Sequence, residues 1–239
     1  MSEFIAALPM YDWPERRDEV DAEWAAIRDR LCAAGVPAPE ALTRDIDMHE
    51  VWLRPNLILA QTCWGPLELG LREHVTVLGQ PDYSAFEGGA GELYSSALVM
   101  RQGEGAQAAS PADGSASLPL EFMRGKRFAF NSDDSMSGVI ALTRDLEAAG
   151  EGLGIFGARM TSGGHRMSVA MVAKGDADVC AIDCRSWALA QRFEPAAREV
   201  AVVGWTARRK GLPYIAAPKM VDRFPALKTL FAYGRSDTG

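Results

Sequence analysis

No apolar stretch in this 239-residue sequence is long enough to cross a bilayer; the longest runs, residues 57–60 and 200–205, fall far short of the roughly 20 residues a spanning helix needs. The first ten residues lack a basic start, a long apolar stretch and a small-residue cleavage site. As it stands the sequence therefore reads as cytoplasmic, or as periplasmic if a leader was removed. Basic charge is scarce, with 25 Lys and Arg against 32 Asp and Glu, and no cluster exceeds Arg208-Arg209-Lys210. A net charge of −7 argues against nucleic acid and anionic membranes as partners. The four cysteines, Cys32, Cys63, Cys180 and Cys184, show no C-x-x-C spacing and read as reduced thiols in helix or strand.

Other absences exclude chemistry. Asp133-Asp134 and Asp45-x-Asp47 lack the ligand count of a calcium loop, and no second His follows His49-Glu50. Gly88-Gly89-Ala90-Gly91 matches neither a P-loop nor a dinucleotide fingerprint. Neither metal nor cofactor is expected, and no nucleophile is paired with a base and an orienting acid, which argues against catalysis.

What is present is a globular composition, 48% hydrophobic, enough for one large core or two small ones. Strands are expected at residues 4–10, 57–62, 75–79, 94–101, 127–130, 179–183, 200–205 and 214–217. Helices are expected at 14–34, 67–74, 139–149, 167–174, 186–193 and 221–233. In the first helix Val20, Trp24, Ile27 and Leu31 fall on one face, with Pro14 to open it and Gly35 and Pro37 to stop it. Strands alternating with helices imply parallel sheets covered on both faces. Residues 102–117, rich in Gly, Ala and Ser, read as a linker. Residues 172–179 place a Gly at a helix end and a strand just beyond it, a helix-to-strand turn.

Two polar turns carry the functional signal. Asn131-Ser132-Asp133-Asp134-Ser135-Met136-Ser137-Gly138 links a strand to a helix, and Thr161-Ser162-Gly163-Gly164-His165 leads into another. Helix starts present N–H groups without intrahelical acceptors and the positive end of the dipole, and the hydroxyls add donors, so both turns suit an anion. Ser135 and Ser137 could also be ordinary N-caps, and His165, one of three histidines, could be structural. Asp183 ends a buried-looking strand and either faces the ligand or caps the next helix. A carboxylate beside an anion requires a ligand that brings a proton or an amine. Tyr11, Thr62, Trp64, Tyr94 and Ser95 lie at expected strand ends, where contact and packing roles are both open.

The order of the 131–138 turn, the Ser162-Gly163-Gly164-His165 turn, Gly175-Asp176-Ala177-Asp178-Val179 and Asp183 resembles the substrate-binding proteins of phosphate, phosphite and phosphonate ABC transporters. The likeness is strongest over 120–183 and continues through residues 61–66, 94–96 and 5–11. Met136 stands where the family turn has its middle hydroxyl. The resemblance implies a type II periplasmic-binding architecture: two α/β domains with mainly parallel sheets, joined by two crossing strands at 94–101 and 200–205. The first domain would be 1–100 with 206–239, and the second, 101–205, would carry the anion-binding turns. It implies non-enzymatic binding of a small oxyanion by Ser135, Met136, Ser137, Gly138, Ser162, His165 and Asp183, closed over by Tyr11, Thr62, Trp64, Tyr94 and Ser95. The partner would be an ABC permease or a signalling protein. The alternative is a cytoplasmic enzyme on the same fold, of menaquinone-pathway or thiamine-pyrimidine type, with His165 or Asp183 as acid or base.

Overall fold

The computed structural model describes residues 4–231. In chain order the strands are β1 (Ile5–Ala7), β2 (Leu57–Gln61), β3 (Thr76–Gly79), β4 (Leu93–Tyr94), β5 (Ser96–Arg101), β6 (Arg127–Phe130), β7 (Ala158–Thr161), β8 (Val179–Asp183), β9 (Val200–Trp205), β10 (Arg209–Lys210) and β11 (Tyr214–Ala216). The chain divides into two compact units, one reaching Pro81 and resuming at Gly211, the other Asp82–Lys210.

Among the described residues the first unit holds a four-stranded sheet, order β1-β2-β11-β3. β1 and β2 are parallel, and β11 runs against both of its neighbours. Every residue of β2 is buried, as expected for a strand covered on both faces. The helix Arg17–Ala33 packs Val20, Trp24 and Leu31 into this core, and Ile27 packs partly buried against it. The expected 221–233 helix is two short ones, Pro218–Arg223 and Ala226–Leu230, because Pro225 disfavours helical geometry in the residue before it. Residues 232 and 233 of that expectation lie outside the described residues.

The second unit is built on a five-stranded sheet, order β7-β6-β8-β5-β9. β6 is parallel to β7 and β8, and β5 is antiparallel to β8 and β9, so four strands point one way and β5 alone opposes them. The C-terminal ends of β6, β7, β8 and β9 therefore share one edge. Phe128 stacks on Phe156 at 4.6 Å and, with Leu98, Leu142, Leu146 and Val179, fills a core beside the sheet.

Three sequence expectations change here. The segments read as crossings, 94–101 and 200–205, lie inside the second unit, where β5 and β9 pair directly, for example Leu98 with Gly204. The units part at 81/82 and 210/211 instead of 100/101 and 205/206. Residues 102–117 are no linker: Ala108 N–H donates to Val202 O at 3.0 Å, Ser117 exchanges main-chain bonds of 2.8 and 2.9 Å with Trp205, and Trp205 Nε1 donates to Ala108 O. β7 escaped the sequence reading because Ala158-Arg159-Met160-Thr161 is a mostly exposed edge only four residues long, too short for its alternation to stand out.

Candidate functional site

β6 ends at Phe130, and the chain turns through residues 131–135 into one turn of π-helix, Met136–Ile140, continued by the helix Ala141–Ala148. The wide turn arises because Val139 and Ile140 both donate their N–H to Ser135 O, at 3.2 and 3.1 Å; such bulges often mark functional sites. Ser135 is its N-cap, with Oγ accepting the Gly138 N–H at 3.0 Å. Ser135, Met136, Ser137 and Gly138 are all buried, and Met136 Sδ lies 4.0 Å from Arg144 Nη1. The Gly138 amide is thus engaged within the turn, whereas Ser137 sits among the first N–H groups, which have no intrahelical acceptor.

The second turn hangs on the end of β6. Ser162 N–H donates to Phe130 O at 2.8 Å and Gly163 N–H to Asn131 O at 3.0 Å, continuing the parallel ladder beyond β7. Ser162 Oγ faces Ser168 Oγ at 2.6 Å and the carbonyls of Phe130 and Gly164, so this hydroxyl braces its own loop. Gly164 starts the helix His165–Lys174 without a side-chain cap, and Gly175 closes it in the left-handed region, φ 82°, where a Cβ would be strained.

The two helix starts meet. Ser137 Oγ lies 2.8 Å from His165 Nε2, and Asp183 Oδ2 approaches the same nitrogen at 3.5 Å. Asp183, 1% exposed, divides its carboxylate: Oδ1 accepts the Ser186 N–H at 2.9 Å as N-cap of the helix Cys184–Phe193, and Oδ2 faces the imidazole. Of the two roles weighed for this residue, the structure shows the helix cap. Burial holds the His165 pKa below its ordinary value and outweighs the opposing effects of the Asp183 carboxylate and the Ala181 carbonyl. The imidazole is consequently neutral near pH 7. A Ser, a His and an Asp in contact invite comparison with a proton relay. Such a relay needs the acid on Nδ1, opposite the nucleophile; here hydroxyl and carboxylate share Nε2.

The remaining expected site residues fall in three places. Ser95 and Tyr94 belong to the second unit, beside the exit of β8: Ser95 O accepts the Cys184 N–H at 3.1 Å, and the buried Tyr94 ring lies 5.7 Å from Tyr83. In the first unit Tyr11 is buried and its carbonyl accepts from Arg16 Nη1. Thr62 follows β2, fully buried, with its N–H on Pro213 O, and Trp64 donates Nε1–H to Gly211 O at 2.7 Å under Arg72.

Sequence reading missed residues whose partners are far along the chain. Asp145 binds both Arg209 amine nitrogens, at 2.6 and 3.1 Å, and the Ala207 N–H. Ser96, buried beside Asp183 in register, donates its N–H to Thr206 Oγ1. Asn131 joins the two turns; its place right after a strand and before a hydroxyl-rich turn was the one available signal. Among the described residues no group of three His, Cys, Asp or Glu is placed to hold a metal ion, and no helix is long and apolar enough to cross a membrane.

Over residues 67–236 the sequence matches the family described as ABC transporter, phosphonate, periplasmic substrate-binding protein. A search of curated proteins by sequence finds no match. Among solved structures, the fold resembles PhnD1 from Prochlorococcus marinus (MIT 9301) in complex with methylphosphonate, with TM-score 0.66 and 19% identity, covering 95% of this chain and 81% of that one. A binding protein component of an ABC phosphonate transporter from Pseudomonas aeruginosa gives TM-score 0.65 and 15% identity, covering 98% and 76%. A Xanthomonas citri protein bound to chloride ion gives 0.62 and 16%, covering 95% and 83%. These likenesses fix the fold as that of type II periplasmic binding proteins.

Proposed function

The chain belongs to the family of periplasmic substrate-binding proteins of phosphonate ABC transporters, and from that premise we propose that its second unit holds a small oxyanion, phosphate or a phosphonate-like compound, between the 135–138 and 162–165 turns. The supporting observation is the 2.8 Å hydrogen bond between Ser137 Oγ and His165 Nε2, which brings polar side chains from two helix starts to one buried spot at the C-terminal edge of the sheet. Ser137 and His165 grip the oxyanion. Ser135 orders the turn, and Ser162 orders its own loop instead of contacting the ligand. The family is one of binding components, which favours capture and delivery to a permease over the enzymatic alternative.

The Asp183 carboxylate adds a condition. Its Oδ2 lies 3.5 Å from the same imidazole nitrogen, so a fully ionised oxyanion seated there would meet a buried negative charge. A guest that carries a proton converts this repulsion into an O–H···O bond. Hydrogenphosphate and singly ionised phosphonates therefore fit, and sulfate, which has no proton near neutral pH, does not.

Isothermal titration with phosphate, methylphosphonate and sulfate near neutral pH tests this. Heat of binding is expected with the first two only. Replacing Ser137 and His165 together with Ala should abolish it while leaving the unfolding temperature nearly unchanged. Binding of sulfate as tight as that of phosphate, or a double variant that binds normally, overturns the reading.

A further inference from the structure

Asn131 is placed between the two turns and touches both. Its main-chain carbonyl receives the Gly163 N–H at 3.0 Å, so the start of the second turn is suspended from it. Its side chain lies against Gly138 of the first turn, where a methyl group on residue 138 would come within 1.9 Å of Asn131 Oδ1 and 3.1 Å of Cγ. The Gly138 φ is not in the left-handed region, so the reason for glycine is space, and the space is taken chiefly by Asn131, with Ser135 Oγ 3.0 Å from the same point. Asn131 Oδ1 is itself buried and accepts from no protein donor, a costly arrangement that an apolar side chain of the same shape would avoid. The other short contact in this loop, Ser132 Oγ to Asp134 Oδ1 at 2.6 Å, braces the first turn internally and does not reach the second.

We infer that Asn131 is the positioning residue of the oxyanion cluster: its carbonyl holds the 162–165 turn, its carboxamide holds the 135–138 turn, and the spacing of Ser137 and His165 follows from the two contacts together. A hydrogen bond weakens steeply with distance and angle, so a small slip between the turns separates the hydroxyl from the imidazole. The effect on ligand affinity rests on the function proposed above; the effect on the Ser137–His165 contact does not.

The test uses the full chain with Asn131→Ala, Gly138→Ala and the double variant. Asn131→Ala should weaken methylphosphonate binding about tenfold. In the ligand-free protein it should raise the His165 pKa, followed by NMR of the ring, toward the ordinary histidine value as water enters the loosened site. Gly138→Ala should lower the unfolding temperature strongly in the native background and much less beside Asn131→Ala, the non-additivity expected of residues in contact. If Asn131→Ala folds poorly, Asn131→Ser carries the same tests with smaller shifts. An unmoved His165 titration, or a Gly138→Ala penalty equal in both backgrounds, overturns the inference. Wild-type protein that ignores both phosphate and methylphosphonate, while His165 responds to Asn131→Ala and the two positions couple, overturns the proposed ligand and leaves the positioning role standing.

Discussion

Two carboxylates bracket β8, and they have opposite surroundings. Asp178, just before the strand, receives Arg127 Nη2 at 2.7 Å, Arg127 Nε at 3.0 Å, the Arg127 N–H at 2.9 Å and Arg101 Nη2 at 3.0 Å. These bonds, those to Arg127 foremost, hold its carboxyl well below the usual carboxylate range. Asp183, at the strand's exit, caps a helix with one oxygen and turns the other toward an imidazole that burial keeps neutral. The entry carboxylate is a latch saturated with charge and donors, clamping the start of β6 to that of β8. Its exit counterpart stands where helix starts gather at the C-terminal edge of the sheet. Both belong to the stretch that resembles the transporter family, so a motif match alone does not separate structural from binding residues.

The largest expected effect that could break this contrast is Asp178→Ala. It removes the carboxylate that Arg101 and Arg127 share, leaving them Glu104 and main-chain carbonyls, and takes the acceptor from the Arg127 N–H; it should lower the melting temperature by on the order of 5 °C, with methylphosphonate affinity unchanged in the protein that remains folded. A parallel loss of affinity in titration calorimetry would mean that the two ends are not independent. Next comes His165→Ala, which should do the reverse: affinity falls by about 10- to 100-fold, the worth of a hydrogen bond to a charged group, with a melting shift of no more than about 2 °C.

Acidification should separate the two ends without mutation. His165 has a folded pKa below the unfolded value of about 6.5. The unfolded chain therefore takes a proton that the folded chain refuses, and stability falls as pH drops from that value through the folded pKa. Asp178 has a depressed folded pKa, so its contribution is full above about 3.9 and is lost only as pH falls further, through the lowered value. Urea unfolding across a pH series should show both slopes, the upper one absent in His165→Ala and the lower one, to which Asp82 and Asp113 also contribute, shallower in Asp178→Ala. The smallest effect is that of Ser135→Ala, a lost N-cap of about 1 kcal/mol, measurable by the same unfolding curves. Calorimetry should find its affinity loss far smaller than that of Ser137→Ala.

Much of the fold was legible because its signals are local. The Arg17–Ala33 helix announced itself by the spacing of its apolar residues between Pro14 and Gly35, and β2, β6, β8 and β9 by short apolar runs bounded by turn residues. The two polar turns were visible because hydroxyl and glycine residues at helix starts have a chemistry of their own. Selection among the hydroxyls was not visible. Ser162 and Ser137 look alike in sequence, yet one bonds Ser168 within its loop and the other reaches a histidine 28 residues away.

By itself, then, the sequence determined the alternation of strands and helices, the capping of their ends and the presence of two anion-suited turns, all set by interactions within a few residues. Tertiary structure alone decided where the units part, which of the two β8 carboxylates is saturated by arginine, and that Asn131 lies against Gly138 while holding Gly163. Each of these depends on pairing between strands distant in the chain: β5 beside β9 draws both segments into one sheet, and β6 beside β7 and β8 brings the two turns to a common edge.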